Sequence, residues 1–246
     1  MKETIVFVHG AWHGKWCWEE SWTKIFTKAG YNCITFDLPG HNTPGKVVGI
    51  NSITIKDYVD ALEDIVAKLD RPPIILGHSM GGLVVQKYLE RAPCKKAVLL
   101  ASVPPYGVIN TTIYFLKKLS SYPALLLFDL YRLVDTEEKS REAFFSESLD
   151  GQKLTLYTSK LCSESYRAFL KMLVPNIRLK HHQETPTLVI GAADDKIFSI
   201  KENEATAKKY NADLIIIEDI AHDMMLDTGQ DHVASVIIDW LSKGNR

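Results

Sequence analysis

The stretch LGHSMGGLVVQKYLE, residues 76–90, decides how the rest of the chain is read. A short apolar run, PIIL (73–76), meets a serine fenced by Gly77, Gly81 and Gly82, and an apolar helical pattern follows at once. A strand that only packs a core has no need of that punctuation. The order reads strand, tight turn, helix. G-H-S-M-G at 77–81 fits G-x-S-x-G, in which the serine backbone bends sharply and glycines remove side chains that would clash. The Ser79 hydroxyl would stand at the C-terminal edge of a sheet, where open α/β sheets bind ligands. The start of the next helix favours negative charge at the same place.

Working outward, five more β-branched runs recur: TIVFV (4–8), NCITF (32–36), KAVLLAS (96–102), TLVIG (187–191) and DLIIIE (213–218). Each is apolar almost throughout, as strands covered on both faces are. Helical spacing fills residues 16–29, 55–69, 81–91, 201–209 and 230–242. The alternation predicts an α/β fold with a doubly wound, mostly parallel sheet of about six strands. From Val103 to Glu184 the strand pattern stops and helical patterns replace it (111–134, 137–148 and 163–174). A structureless loop of that length does not belong inside a compact domain. The expectation is a core of residues 1–102 and 185–246 with an inserted helical cap over 103–184.

The chain has 246 residues, of which 46% are hydrophobic, enough for one well-buried domain. Lys+Arg is 29 and Asp+Glu is 30, a net charge of -1, which offers no surface for nucleic acid. The opening MKETIVFVHGAW lacks the form of a signal peptide, and no run approaches the roughly 20 apolar residues of a membrane span. Cys17, Cys33, Cys94 and Cys162 form no C-x-x-C pair, which argues for reduced thiols rather than a metal or redox site. The expectation is a cytoplasmic protein. Homodimerisation is left open.

A serine hydroxyl is a poor nucleophile at neutral pH and needs a base, which needs an orienting acid. Eight histidines compete. His78 lies within the elbow and points away from Ser79; His9 and His13 end the first strand; His41 sits in a loop. His181 and His182 precede a strand as hinge residues, and His232 lies inside the last helix. His222, in IIIEDIAHDMMLD, follows the last strand and precedes the last helix, so its loop overhangs the edge that carries Ser79. The acid should leave the strand of TPTLVIGAADDKIFS. Asp195 is preferred, since DKIF supplies an acid, a spacer and two apolar anchors; Asp194 is the alternative. For the oxyanion, the turn in FVHGAWHG (7–14) can turn the Ala11 amide toward the elbow beside that of Met80, with Trp12 as the alternative donor.

Taken together, VHGAWHG, DLPGH, GHSMGG, GAADDKIF and AHDMML resemble the α/β-hydrolase superfamily across nearly the whole chain. The resemblance implies Ser79 as nucleophile, Asp195 as acid, His222 as base and the Ala11 and Met80 amides as oxyanion hole, with a cap inserted at 103–184. HGAWHGKWCWEE also looks like the branch of plant methylesterases and hydroxynitrile lyases. The lyases replace the elbow histidine, carry cysteine after the serine, hold threonine where Gly10 stands, and hold lysine where Asp223 stands. All four features are absent, so ester hydrolysis is the better expectation.

The predicted reaction is two-step acyl transfer through an acyl-enzyme, with no metal or organic cofactor required. Tyr114, Phe115, Leu116, Tyr122, Leu125 and Phe128 make the cap apolar, which predicts a small-molecule ester with an uncharged, apolar or aromatic acyl group. Lactone, thioester or carbon–carbon bond hydrolysis uses the same triad. A small-molecule receptor on the same scaffold is the alternative of a different class.

Overall fold

Six strands, β1 (Thr4–Val8), β2 (Asn32–Thr35), β3 (Ile74–His78), β4 (Lys96–Leu100), β5 (Thr187–Ala192) and β6 (Asp213–Ile217), form one sheet in the order β2-β1-β3-β4-β5-β6. Every pairing is parallel. The computed structural model describes residues 2–108, 129–181 and 183–243. His182 and the aromatic and leucine residues of 114–128, expected in the cap, lie outside them. β3, β4 and β5 are buried at every residue, which accounts for their unbroken apolar character.

Helices cover both faces. α1 (Trp16–Glu19) and α2 (Trp22–Lys28) follow β1, and α2 packs against α9 (Gln230–Ser242). On the opposite face α3 (Ile55–Val66) packs against α4 (Met80–Tyr88), and the Tyr210 hydroxyl of α8 (Ile200–Tyr210) donates to Gln86 of α4. That split is what right-handed crossovers produce when the strand order reverses direction at β1. α3 begins with a capping box: the Thr54 hydroxyl accepts from the Asp57 amide, and the Asp57 carboxylate accepts from the Thr54 amide. The single helix expected over 16–29 is two, because Ser21 leaves the helical region (φ -144°, ψ -40°) and its hydroxyl reaches Gln230.

Between β4 and β5 the described chain is helical: a 3₁₀ turn at Leu130–Leu133, then α5 (Glu137–Phe144), α6 (Gly151–Lys160) and α7 (Tyr166–Leu173). α6 falls outside the expected helical patterns. Asp150 starts it by accepting from the Gln152 and Lys153 amides. Two seams join this segment to the sheet. The Cys162 amide donates to Trp12 O at 2.8 Å and the Gly45 amide to Leu161 O at 2.8 Å. Beside them the buried Glu164 carboxylate accepts from the Tyr58 hydroxyl at 2.8 Å and from His41 Nε2 at 3.0 Å. The other ring nitrogen of His41 faces Pro39 O at 3.1 Å, so both nitrogens meet acceptors. Burial opposes a charged ring there, but Glu164 outweighs it and holds His41 above its ordinary value.

Among the described residues no helix is long and apolar enough to cross a membrane. Cys17, Cys94 and Cys162 are buried, Cys33 is half-buried, and all four are free thiols.

Candidate active site

The site is built at the C-terminal ends of β1, β3, β5 and β6, where four loops converge. Ser79 sits between β3 and α4 with φ 52° and ψ -117°, a conformation costly for any residue but glycine. Two close approaches enforce it. A Cβ on Gly77 would lie 2.4 Å from Gly81 O, and a Cβ on Gly81 would lie 2.2 Å from Val8 O. Backbone meets backbone at both places, so only glycine fits. The Ser79 amide donates to Leu100 O at 3.0 Å, which ties the bend to β4.

His222 comes from the loop after β6, and Asp195 from the loop after β5. His222 Nδ1 lies 2.8 Å from Asp195 Oδ2, with both side chains buried. The acceptor fixes the proton on Nδ1 and leaves Nε2 bare in the neutral ring. Asp195 Oδ1 accepts from the Ile197 and Phe198 amides at 2.7 and 3.0 Å. Asp194 is exposed, and among the described residues it bonds through its amide alone, to Ile220 O. Burial opposes charging His222, but Asp195, aided by Asp223, outweighs burial and raises its pKa.

The His222 loop rests on the elbow through His78. The two rings are 4.8 Å apart and tilted, and His78 Nε2 donates to His222 O at 3.0 Å. Burial pushes His78 down to about 3, so it is neutral. In this conformation the Ser79 hydroxyl makes no hydrogen bond with any described residue. Phe144 lies near-parallel to His222 at 6.2 Å and Phe198 lies edge-on at 5.4 Å, so the imidazole is enclosed by apolar rings.

The turn after β1 lies against the same elbow: a Cβ on Gly10 would be 3.1 Å from Ser79 Cβ. Ala11 and Met80 are both buried. Among the described residues neither of their backbone amides donates to the protein, which leaves two buried donors beside Ser79. Trp12 follows in the left-handed region (φ 62°), held by its ring nitrogen to Leu130 O at 3.1 Å.

His9 and His181 have other partners. His9 donates from Nδ1 to Gly10 O and accepts at Nε2 from the Leu38 amide. Burial and the neighbouring His41 keep it well below its ordinary value. His181 pairs with Glu184 at 2.8 Å in the chain leading to β5, and His232 is exposed on α9.

Three buried acids went unanticipated, Glu164, Asp227 and Asp223; Asp227 accepts from the Ser146 and Ala221 amides. Asp223 lies 2.8 Å from His13 Nε2 and 3.8 Å from His78 Nε2. A signal was available for Asp223 and Asp227, which bracket the apolar run Met224–Leu226, since a carboxylate buried there demands a partner; Glu164, between Ser163 and Ser165, carries no such signal. His78, His222 and Asp223 also bring ligating atoms within 4.8 Å of one another. His78 Nε2 and His222 Nδ1 are already engaged by His222 O and Asp195, and a metal there would have to displace those bonds.

This arrangement of fold and loops has relatives. The α/β-hydrolase family model matches residues 5–235. A phospholipase, YtpA of Bacillus subtilis (strain 168), is 28% identical over 205 residues, covering 78% of this chain and 76% of the relative. Methyl jasmonate esterase 1 of Vitis vinifera is 36% identical over 116 residues, 45% of this chain; this chain spans only 43% of that relative's length. An extracellular α/β-hydrolase from a Paenibacillus species superposes with TM-score 0.74 at 18% identity, covering 96% of this chain and 98% of that one. A strained serine elbow at the end of β3 in an all-parallel sheet, matched along 5–235, makes this chain a member of the α/β-hydrolase family, related to the plant methylesterases.

Proposed function

We propose that the protein hydrolyses carboxylic esters of small apolar or aromatic acyl groups, with Ser79 as nucleophile, His222 as base and Asp195 as the orienting acid. Ester hydrolysis in general is what the esterase and phospholipase relatives support. The observation that carries the finer reading is the 2.8 Å bond from Asp195 to His222 on a loop packed against a strained serine. In the proposed reaction His222 Nε2 takes the Ser79 proton as Oγ attacks the ester carbonyl carbon. The Ala11 and Met80 amides hold the resulting oxyanion, each donor contributing about 2.7–4 kcal/mol of barrier lowering. The imidazolium then protonates the departing alkoxide, leaving an acyl-serine. Water, deprotonated by the same nitrogen, attacks it, and the Ser79 oxygen leaves with the proton. The serine–imidazole hydrogen bond forms with substrate, since such bonds are often long in the empty state.

The insertion at 103–184 acts in this reading as the cap, and among its described helices α5 places Phe144 as apolar cover over the base. Three buried, unpaired thiols favour a reducing compartment, in keeping with a cytoplasmic enzyme. No cofactor is required.

The test is a p-nitrophenyl ester series of rising acyl length, run with wild type and Ser79→Ala. The expected result is turnover of the short and aryl esters, lost in the variant while its fold is kept. Turnover by Ser79→Ala defeats the assignment. The phospholipase relative favours one second reading, phospholipid ester cleavage; preference for a short-chain phosphatidylcholine over every aryl ester would select it. A receptor with no chemistry would leave a fluorophosphonate unreacted.

A further inference from the structure

His13 sits in the turn that carries Ala11 and is buried to 1% exposure, and Asp223, beside the base, is buried completely. His13 Nδ1 lies 2.8 Å from Ala11 O, and His13 Nε2 lies 2.8 Å from Asp223 Oδ2. A backbone carbonyl can only accept. Asp223 is held as the anion: burial disfavours its charge, but His13 outweighs burial and keeps the carboxyl below its ordinary value. A ring with acceptors on both nitrogens is matched only by the doubly protonated form. Among the described residues neither Asp223 oxygen nor His13 Nε2 makes an aligned hydrogen bond, so the attraction across this 2.8 Å contact is that of an ion pair.

The pair joins three loops. His13 holds the Ala11 carbonyl and so fixes the Ala11–Trp12 peptide, where the chain enters a strained left-handed residue. Asp223 follows His222 directly, and its own amide donates to Phe144 O at 2.9 Å. The second Asp223 oxygen faces His78, the residue before the nucleophile, at 3.8 Å. Four other titratable groups face the pair. They are His9 at the end of β1, Cys17 on α1, neutral His78, and His222.

We propose that His13 and Asp223 are positioning residues: a buried imidazolium–carboxylate clasp that locks the oxyanion turn to the loop bearing the base. This rests on the reading of Ser79 and His222 given above. The clasp touches no substrate atom. It acts by holding the Ala11 amide in register with Ser79 and, through its carboxylate, by favouring the charged form of His222.

Two measurements test it. The first is nitrogen-15 NMR of histidine-labelled wild type at pH 7, which needs no activity. His13 is expected to show protons on both ring nitrogens; a neutral tautomer overturns the clasp. The second is kinetics of Asp223→Asn on the best p-nitrophenyl ester. Loss of register is expected to lower kcat about 10- to 100-fold with KM changed less than about threefold. The acid limb of kcat/KM should also move to lower pH, because one anion beside His222 is gone. A merely structural residue would not move that limb, so an unchanged limb with unchanged kcat overturns the proposal. If Asp223→Asn does not fold, His13→Gln is measured instead. The same fall in kcat is expected, and wild-type kcat in His13→Gln overturns the proposal. Wild type without esterase activity would defeat the ester reading but not the NMR result, so the two failures are distinguishable.

Discussion

Asp195 grips the His222 imidazole with one carboxylate oxygen, at 2.8 Å, and the next turn of its own loop with the other, at 2.7 and 3.0 Å. A carboxylate held at both ends cannot rotate away from the ring it orients. Among the described residues its neighbour Asp194 makes no side-chain hydrogen bond, and it is exposed. The two adjacent acids therefore separate cleanly in an experiment.

Asp195→Asn should lower kcat on the order of 10⁴-fold by leaving the imidazole in the wrong tautomer. Asp194→Asn should stay within about twofold of wild type. Steady-state rates on one aryl ester compare them, and a larger loss from Asp194→Asn would reassign the acid.

The raised His222 value sets the pH response. The base works neutral, so kcat/KM should fall as pH drops through a midpoint above the ordinary 6.5. Stability runs the other way for this group. Its contribution is full below 6.5 and fades as pH rises through the folded value. Asp223, whose value is depressed, stabilises above 3.8 and stops doing so as pH falls through its folded value. A pH–rate profile beside urea titrations across the same range checks all three signs.

Ser79 occupies φ 52° without being glycine. Ser79→Gly should therefore raise unfolding stability by about 1 kcal/mol or more while removing activity. Denaturant midpoints of wild type, Ser79→Gly and Ser79→Ala decide it; a glycine variant less stable than alanine would show that the bend is not strained.

Glu164→Gln leaves the His41 imidazolium without its anion and should cost about 3–5 kcal/mol. The His41 value is raised, so the pair's contribution is present below 6.5 and is lost as pH rises through the folded value. The gap in Tm between wild type and variant should narrow in alkali; a gap that widens would mean the ring is neutral in the fold.

Much of this molecule is legible in its sequence, for identifiable reasons. Strands such as Ile74–His78 and Lys96–Leu100 are buried on both faces, and burial of that kind writes itself as an unbroken apolar run. The elbow is legible because Gly77 and Gly81 are dictated by backbone clashes within a few residues. The partnership of Asp195 with His222 follows from two loops leaving neighbouring strands at the same edge. Spacing does not reveal what depends on distant partners. The break at Ser21 answers to Gln230, and Glu164 answers to His41 and Tyr58. His13 reads as an ordinary strand-end histidine until Asp223, 210 positions later in the chain, is brought to 2.8 Å. α6 is missed because its apolar residues, Leu154, Leu156 and Tyr157, are few, while its start depends on the Asp150 cap.

Because all six strands run the same way, the molecule has two rims with unequal tolerance. The upper one carries every group assigned to the chemistry. The lower one carries a cavity of about 350 Å³ edged by Lys2, Glu3, Asn32, Asp70, Arg71 and Lys95. Charge, solubility or tethering to a solid support can be re-engineered there, at the far end of each strand, without disturbing the reacting atoms.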